Sequence, residues 1–506
     1  MSMPSSSPAP QALAAIDMGS NSFRLEIAHM HRGSYRRVEY LKETVRLGAG
    51  LDEQSMLTEA AMQRGLDCLQ RFATRLQGMP GSRVRAVATQ TLREARNRNA
   101  FLARAQTVLG HPIEVISGRE EARLIYAGVA RLQPAEEPRL VIDIGGRSTE
   151  MILGQGRQPL KAESFQIGSV SLSLRFFPEG LFTPEAFRAA QVAAGAELEE
   201  ALTLFARHLS RPVWQEALGS SGTVGAVSQL LAASGITDGR ITLDGLRWCI
   251  EQCLAAGRME ALQLPGLKEE RRAVVAGGLC ILYTLLTHFE IEALLPAKGA
   301  LRQGVIFDLV ERLEAQQVRD GHDMRDFSAA ELQQRFGVDR EQAARVQEVA
   351  LQLHRQLVPR ASPELRRELG WAAALHEIGM MVSHHDHHRH SAYLLAHVDA
   401  PGFSQSQLRR LGDLALGQRG GLRKLEEQLQ DESLLWQLLA LRLAVIKCHA
   451  RSAVDARAMR LERRGRQIRV RMPRGWTQNH PRAHYLLREE MAAWSKLELL
   501  TLDLQD

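Results

Sequence analysis

Short apolar runs alternate with amphipathic segments over more than half of the chain, and their order occurs twice. In the first series the periodicity predicts strands at 12–17, 23–29, 35–41, 84–88 and 113–116, with helices at 58–78, 98–109 and from Ser117. In the second series it predicts strands at 139–144, 149–154, 160–166 and 214–219, with helical sequence that includes 184–208. Three strands followed by alternating helices and strands, twice, predict a duplicated α/β domain.

Helical patterns replace this alternation from about residue 309 to about residue 450. The remaining chain holds a strand candidate at Gln467–Met472 and a helical run near 482–495. We therefore predict five segments: a disordered tail at 1–10, a first α/β lobe at 11–134, a second at 135–308, a helical domain at 309–452, and a small basic α+β domain at 453–506.

Two of the predicted strands end in nearly the same turn. Ala14–Ser22 reads Ala-Ala-Ile-Asp-Met-Gly-Ser-Asn-Ser, and Val141–Ser148 reads Val-Ile-Asp-Ile-Gly-Gly-Arg-Ser. Glycine at a strand end lets backbone N–H groups approach a phosphate without hindrance from a Cβ. An arginine at the exit of a third strand adds a fork of donors. The candidate phosphate-binding residues are Gly19, Ser20, Asn21, Ser22, Arg93, Gly145, Gly146, Arg147 and Ser148.

Carboxylates accompany both turns. Asp17 and Asp143 end the two strands, and paired oxygen ligands of this kind suit Mg²⁺. Ser117 and Glu120 have the spacing of a capping box, which gives Glu120 a structural explanation. Glu121 is not needed for the cap, so it is a candidate catalytic carboxylate, with dipole complementation as the alternative.

Glu150 follows the second turn and would begin the next strand beside the clamp. We take it as a second candidate catalytic residue. The alternative is a strand glutamate that faces solvent.

At these residues the chain resembles the exopolyphosphatase / guanosine pentaphosphate phosphohydrolase family, which has the sugar kinase/actin-like fold. The matching segments include Ala15–Leu25, Ala88–Asn97, Ile116–Val129, Val141–Glu150, Gly219–Thr223 and Gly299–Gly304, and the likeness continues through Leu375–Met380, His388–Tyr393 and Pro401–Phe403. The resemblance implies duplicated ribonuclease H-like lobes, then an all-α HD-like domain and a small α+β domain. It also implies that Glu121 and Glu150 are catalytic, that Asp143 binds magnesium, and that Arg93 and both turns bind phosphate.

The sequence departs from the family pattern at two places. Arg147 replaces the third glycine of the second turn, so it is either strained, if that position needs a positive φ, or a cation offered to the phosphate chain. Ala297-Lys298-Gly299 replaces a Ser-Asp-Gly, which exchanges a carboxylate for a positive charge.

These features predict a magnesium-dependent exopolyphosphatase that removes the terminal phosphate of inorganic polyphosphate. The net charge of +6 suits an anionic partner. Hydrolysis of guanosine pentaphosphate to the tetraphosphate, or both activities, is the alternative that no residue excludes. A phosphotransferase of the sugar-kinase type and a non-catalytic polyanion-binding protein are further alternatives. A monovalent cation such as K⁺ is a second candidate cofactor.

The C-terminal half adds two clusters. His384, His385, His387, His388 and His390 surround Asp386, and this tract is a candidate for adventitious metal binding rather than metal catalysis, because the expected His-Asp pair of the HD-like fold is His376-Glu377 here. Arginines crowd the last segment, where they either form a solvated basic face or guide a long polyanion: Arg451, Arg457, Arg460, Arg463, Arg464, Arg466, Arg469, Arg471 and Arg474. The scarcity of aromatic residues beside them argues against a specific nucleic-acid partner.

Five scattered cysteines and no signal-peptide pattern indicate a cytoplasmic protein. The longest apolar stretch, Ala273–Leu286, is too short to span a bilayer. Peripheral contact with an anionic membrane is compatible with the charge but is not predicted. The family resemblance implies a homodimer.

Overall fold

A computed structural model describes residues 11–31, 33–205, 213–317 and 323–505. These residues form two compact units that divide after Gln317. The predicted tail at 1–10 and the last residues of the helix predicted at 184–208 lie outside the described residues.

The elements of the N-terminal unit follow the predicted alternation. Its strands are β1 (Gln11–Met18), β2 (Phe23–His31), β3 (Ser34–Glu43), β4 (Val84–Ala88), β5 (Ile113–Val115), β6 (Arg139–Ile144), β7 (Thr149–Gln155), β8 (Gln158–Phe165), β9 (Glu216–Gly219) and β10 (Leu294–Pro296). Its helices are α1 (Glu59–Arg75), α2 (Gln90–Glu94), α3 (Arg98–Leu109), α4 (Gly118–Leu132), α5 (Ser169–Phe176), α6 (Pro184–Phe205), α7 (Gly222–Ala233), α8 (Leu243–Ala256), α9 (Glu269–His288) and α10 (Leu301–Gln317).

Two five-stranded sheets of identical order confirm the duplication. The first runs β3-β2-β1-β4-β5 and the second β8-β7-β6-β9-β10. In each, the first three strands are antiparallel neighbours and the last two are parallel to the central strand. This is the ribonuclease H-like arrangement of the sugar kinase/actin-like fold. The pattern did not predict β10 or α2.

The two lobes exchange their last helices. Helix α4 packs against α10 and against β7 and β8 of the second lobe, while α10 packs against β1 of the first. Buried residues of both sheets share one apolar cluster, which includes Ala15, Val141 and Val305. The boundaries of the structural units therefore differ from the predicted ones. Helix α10 runs across the predicted 308/309 boundary and ends with the N-terminal unit. The apolar core is continuous across the predicted 134/135 boundary.

A buried ion network fixes α10 to the first lobe. Asp308 accepts hydrogen bonds from Arg85 Nη1 at 2.6 Å and Arg312 Nε at 2.7 Å, and it pairs with Arg123. Although Asp308 is buried, these three guanidiniums hold the pKa of its carboxyl well below the usual range. Glu120 joins the network through Arg123, with oxygen–nitrogen distances of 2.7 and 2.8 Å.

Only half of the predicted capping box forms. Ser117 caps α4 by accepting from the backbone N–H of Glu120 at 3.2 Å. The Glu120 carboxylate turns into the ion network instead of back to the cap. The structural explanation for Glu120 is therefore the anchoring of α10 as well as the helix start.

The C-terminal unit is a helical domain with a small sheet. Its helices are α11 (Met324–Arg335), α12 (Arg340–Leu357), α13 (Pro363–Leu375), α14 (His387–His397), α15 (Gln405–Gly417), α16 (Glu432–Lys447), α17 (Trp476–Asn479) and α18 (Pro481–Ser495). Its strands are β11 (Arg460–Arg464), β12 (Gln467–Arg471) and β13 (Thr501–Gln505) in the order β11-β12-β13. Sheet residues such as Ile468 share one apolar core with helix residues such as Leu439, so 452/453 marks no separate domain.

No helix among the described residues is long and apolar enough to cross a bilayer. All five cysteines are buried and free. Cys249 and Cys253 lie on the core side of α8.

Candidate active site

A cavity of about 350 Å³ lies where β1 and β6 end in their glycine turns. Both turns and three of the predicted carboxylates line it: Asp17, Gly19, Ser20, Asn21, Ser22, Glu121, Asp143, Gly145, Gly146 and Ser148. The structure therefore brings most of the predicted site to one place. Arg93, Arg147 and Glu150 do not line this cavity.

Glu121 stands in the first turn of α4, at the cavity wall. Its Oε2 accepts a hydrogen bond from Arg93 Nη1 at 2.7 Å. Burial raises the pKa of Glu121 to about 7, and the carboxylates of Asp17 and Asp143 add to the rise while Arg93 opposes it. A carboxylate with a pKa near neutrality can take a proton from water and release it again.

Arg93 is held by protein groups. Besides Glu121, its guanidinium donates to the carbonyl of Ile116 at 3.0 Å and to Gln90 Oε1 at 2.9 and 2.5 Å. The sequence analysis took Arg93 as a phosphate-binding element. In the structure four of its five N–H donors bond to these protein groups, and Arg93 does not line the cavity.

Asp143 ends β6 and lies directly opposite Glu150 on β7. Asp143 Oδ2 accepts from Ser220 Oγ at 2.5 Å. Burial raises the pKa of Asp143, while Ser220 and Arg24 oppose the rise. Glu150 is 1% exposed and accepts from Ser164 Oγ at 2.8 Å. Burial and the nearby Glu121 and Asp143 raise the pKa of Glu150 well above its usual range.

Glu150 is thus a buried residue behind the cavity wall and not the solvent-facing strand glutamate of the alternative reading. Of the two glutamates, Glu121 lines the cavity and Glu150 does not.

Asp17 is engaged on the first lobe. Its Oδ2 pairs with Arg24 Nη1 at 3.0 Å and lies 3.7 Å from Arg302 Nη1. Both guanidiniums also line the cavity. Asp17 therefore orients two arginine guanidiniums toward the cavity, whereas Asp143 accepts a hydrogen bond from the Ser220 hydroxyl.

Arg147 is not strained. Its backbone is absent from the positive-φ conformations among the described residues. Its side chain leaves the cavity and pairs with Glu94, with Nε and Nη2 at 2.9 and 2.7 Å from Oε2. The sequence suggested either a strained Arg147 backbone or a cation that faces phosphate. The structure instead shows an ion pair between Arg147 and Glu94 that joins the two lobes.

Sequence reasoning missed several cationic residues at the cavity: Arg24, Lys42 and Arg271. Arg24 lies two positions beyond the first turn, and Lys42 near the end of β3, so their strand positions give a weak signal. Arg271 lies on α9, far along the chain, and no local pattern relates it to the turns. Its α-helix brings it close to Gly222 at the start of α7.

Besides burial, the Asp143 carboxylate raises the pKa of both Glu121 and Glu150, and Glu121 raises the pKa of Glu150. A divalent cation would relieve this repulsion, and Mg²⁺ typically takes only one or two carboxylates together with waters and substrate phosphates. The residues present therefore fit the predicted magnesium. Among the described residues no group of three or more metal-type ligands is gathered tightly enough to hold an ion alone.

The C-terminal unit has its own cavity, of about 1470 Å³, lined by His376, Glu377 and part of the histidine tract. His387 and His388 are buried, and burial lowers the pKa of each to about 4. The Arg451 side chain forms a 2.6 Å ion pair with Glu377, so the acidic member of the His376-Glu377 pair already has a cationic partner.

Several arginines of the basic segment also have acidic or aromatic partners. Arg469 and Arg471 pair with Glu462, and Arg463 lies 3.9 Å over the Trp436 ring. This segment is therefore a partly neutralised surface in the structure.

The N-terminal unit and most of the C-terminal unit match known family models. Residues 26–313 match the Ppx/GppA phosphatase family, and residues 324–491 match Ppx/GppA phosphatase, domain III. The chain belongs to the Ppx/GppA phosphatase family. The predicted resemblance is confirmed, and with it a phosphatase acting on phosphoanhydride bonds.

Similar proteins within the Ppx/GppA family carry names that specify either of the two candidate substrates. The guanosine-5'-triphosphate,3'-diphosphate pyrophosphatase of Photobacterium profundum is 36% identical over 481 residues, which cover 94% of this chain and 95% of the relative. A crystal structure of an exopolyphosphatase from Cytophaga hutchinsonii is 27% identical, with a TM-score of 0.53, and covers 60% of this chain and 98% of its own. A Ppx/GppA family member from Aquifex aeolicus is 25% identical, with a TM-score of 0.50, over the same shares.

Proposed function

We propose that this protein hydrolyses the terminal 5'-phosphate of guanosine pentaphosphate to give the tetraphosphate. The observation that carries the chemistry is Glu121, a buried carboxylate of near-neutral pKa at a cavity between two glycine turns. The choice of substrate is supported by the 36% identical relative, whose name specifies this nucleotide and whose length this chain matches almost throughout. This reverses the order of the two substrates expected from the sequence.

In the proposed reaction, Glu121 orients a water molecule and takes its proton. The water oxygen forms a bond to the terminal phosphorus as the bridging P–O bond breaks, and the bridging oxygen leaves with the shortened nucleotide. Mg²⁺, held by Asp143, would neutralise charge on the phosphates when bound. Backbone N–H groups of the two turns and the N-terminus of α7 suit the transferring phosphoryl group.

Arg93 and Glu150 would act on Glu121 rather than on phosphate. Arg93 fixes the rotamer of Glu121 through the 2.7 Å ion pair. Glu150 lies opposite Asp143 on the neighbouring strand and outside the cavity lining, so its carboxyl acts on Glu121 and Asp143 through charge.

Further cationic side chains at the cavity suit a nucleotide that carries a second phosphate group. Arg271 is half-buried, and its guanidinium makes no hydrogen bond or ion pair among the described residues. Burial and the neighbouring Arg24 lower its pKa. An anionic group on the substrate would offset this cost, and guanosine pentaphosphate carries a 3'-diphosphate in addition to its triphosphate.

We expect Arg271→Gln to raise KM for guanosine pentaphosphate by about tenfold, the effect of losing one charge-assisted contact, with kcat nearly unchanged. Steady-state phosphate release checks this. Arg188→Gln, which removes an exposed arginine paired with Glu185 on α6, is the matched control and should leave both constants unchanged. Equal KM values for Arg271→Gln and the wild type would contradict the contact.

The function is tested by phosphate release from guanosine pentaphosphate and from long-chain polyphosphate, at equal enzyme concentration and with Mg²⁺. We expect the higher kcat/KM for the nucleotide. Inorganic polyphosphate is the second candidate, supported by the solved relative named exopolyphosphatase, and a higher kcat/KM for it would replace the first. Release from neither substrate would reject both.

The rate should depend on pH through Glu121. Because the base must be ionised, kcat/KM of the free enzyme is expected to fall about tenfold per pH unit below pH 7 and to level off above it. A pH–rate profile of kcat/KM over about pH 5 to 9 measures this, because that range brackets the raised pKa of Glu121. A profile that is flat across pH 7 would argue against Glu121 as the base.

A further inference from the structure

A continuous line of side-chain contacts joins the second glycine turn to Glu121. It begins at Arg147, on the turn between β6 and β7, whose guanidinium pairs with Glu94 at the end of α2. Because the turn belongs to the second lobe and α2 to the first, the contact crosses between the lobes. Both side chains are about one-quarter exposed, at 24% and 25%.

The line continues through α2. Glu94 Oε1 accepts from Gln90 Nε2 at 2.6 Å, and Gln90 Oε1 accepts from Arg93 Nε and Nη2 at 2.9 and 2.5 Å. Arg93 Nη1 then donates to Glu121 Oε2 at 2.7 Å. Glu94 therefore accepts from both Arg147 and Gln90, and Arg93 donates both to Gln90 and to Glu121.

The Arg147 side chain is closely packed by its neighbours. A Cβ on Gly48 would lie 3.0 Å from Arg147 Cδ and 3.0 Å from Thr91 Oγ1, so a larger residue there would press on the arginine stem. The Arg147 Nη1 also approaches the Gly48 carbonyl at 3.4 Å. The side chain is thus directed to Glu94 by its packing and does not reach the cavity.

We propose that Arg147 is a positioning residue, which acts through Glu94, Gln90 and Arg93 to hold Arg93 on Glu121. The inference rests on the proposed function for its kinetic consequence. Arg93 keeps a second anchor at the carbonyl of Ile116, at 3.0 Å. Loss of Arg147 therefore loosens Glu121 without releasing it.

The test compares Arg147→Gln, Glu94→Gln and the double variant in phosphate release. Each single variant is expected to lower kcat about tenfold with KM changed by less than about twofold, because neither side chain contacts the substrate. The double variant should lose no more than either single one, since both break the same link. Arg147→Lys, which retains a charge for Glu94, should recover most of kcat.

Three results would overturn the proposal. An unchanged kcat in Arg147→Gln would show that the link does not matter, and a tenfold higher KM would indicate direct contact with substrate phosphate. A double variant whose losses multiply would show that the two residues act separately. Arg119→Gln, which removes another arginine–glutamate pair between the lobes, with Glu163 at 2.7 Å, is the control and should keep kcat.

Hydrogen exchange provides a readout that needs no turnover. Arg147→Gln should speed the exchange of the α2 amides about threefold or more, while those of α8 keep their rate. Unchanged exchange in α2 would overturn the proposal even if the wild type hydrolysed neither substrate. Absence of wild-type activity would by contrast reject only the proposed function.

Discussion

Glu121→Gln is expected to lower kcat by about 10²- to 10⁴-fold, the usual contribution of a general base, without loss of stability. Glutamine keeps the shape and can still accept from Arg93, but it cannot take a proton from water. The free energy of unfolding should not fall at pH 8. A group whose folded-state pKa is raised stabilises the fold when protonated and loses that contribution as pH rises through about 7.

Phosphate release and thermal unfolding at pH 8 check the two halves of this prediction together. The variant should also lose the acidic limb of the pH–rate profile. Glu120→Gln, one position earlier, is the matched control with the opposite outcome: it breaks the ion network with Arg123 and should lower the unfolding temperature. Near-normal turnover of Glu121→Gln would reject the assigned base.

The largest effect on stability is expected at the crossing of α4 and α10. A Cβ on Gly304 would overlap the carbonyl oxygen of Leu124, and one on Gly128 would overlap the carbonyl oxygen of Ala300. Since backbone atoms cannot rotate away, Gly304→Ala must push the helices apart. We expect a loss of about 3 kcal/mol or more, at the upper end of overpacking effects.

Chemical unfolding monitored by far-UV circular dichroism measures this loss. Gly225→Ala in α7 is the control, because a Cβ there would meet no atom within 4 Å. It should instead stabilise the helix by about 0.5–1 kcal/mol. Because α4 carries Glu121, Gly304→Ala should also lose activity, and an unaffected unfolding transition would contradict the close packing.

Much of the fold was predictable because its elements are locally encoded. The three leading strands of each lobe and the helix from Ser117 follow from periodicity, and the repeated turns indicate duplication. The sheet order and the exchange of α4 and α10 do not follow from local sequence. They depend on which apolar faces meet, and residues such as Val305 look alike in either lobe.

The sequence by itself determined which residues surround the cavity at its strand ends. Asp17, Asp143 and the glycines follow directly from the duplicated turns, because carboxyl ends of equivalent strands meet in such a fold. Only the tertiary structure decided which partners surround the carboxylates and how burial shifts the pKa values of Asp143, Glu121 and Glu150. Burial and mutual repulsion separate the roles of Glu121 and Glu150, and neighbours distant in sequence direct Arg147 to Glu94, since long-range packing sets both the local dielectric and the distance between charges.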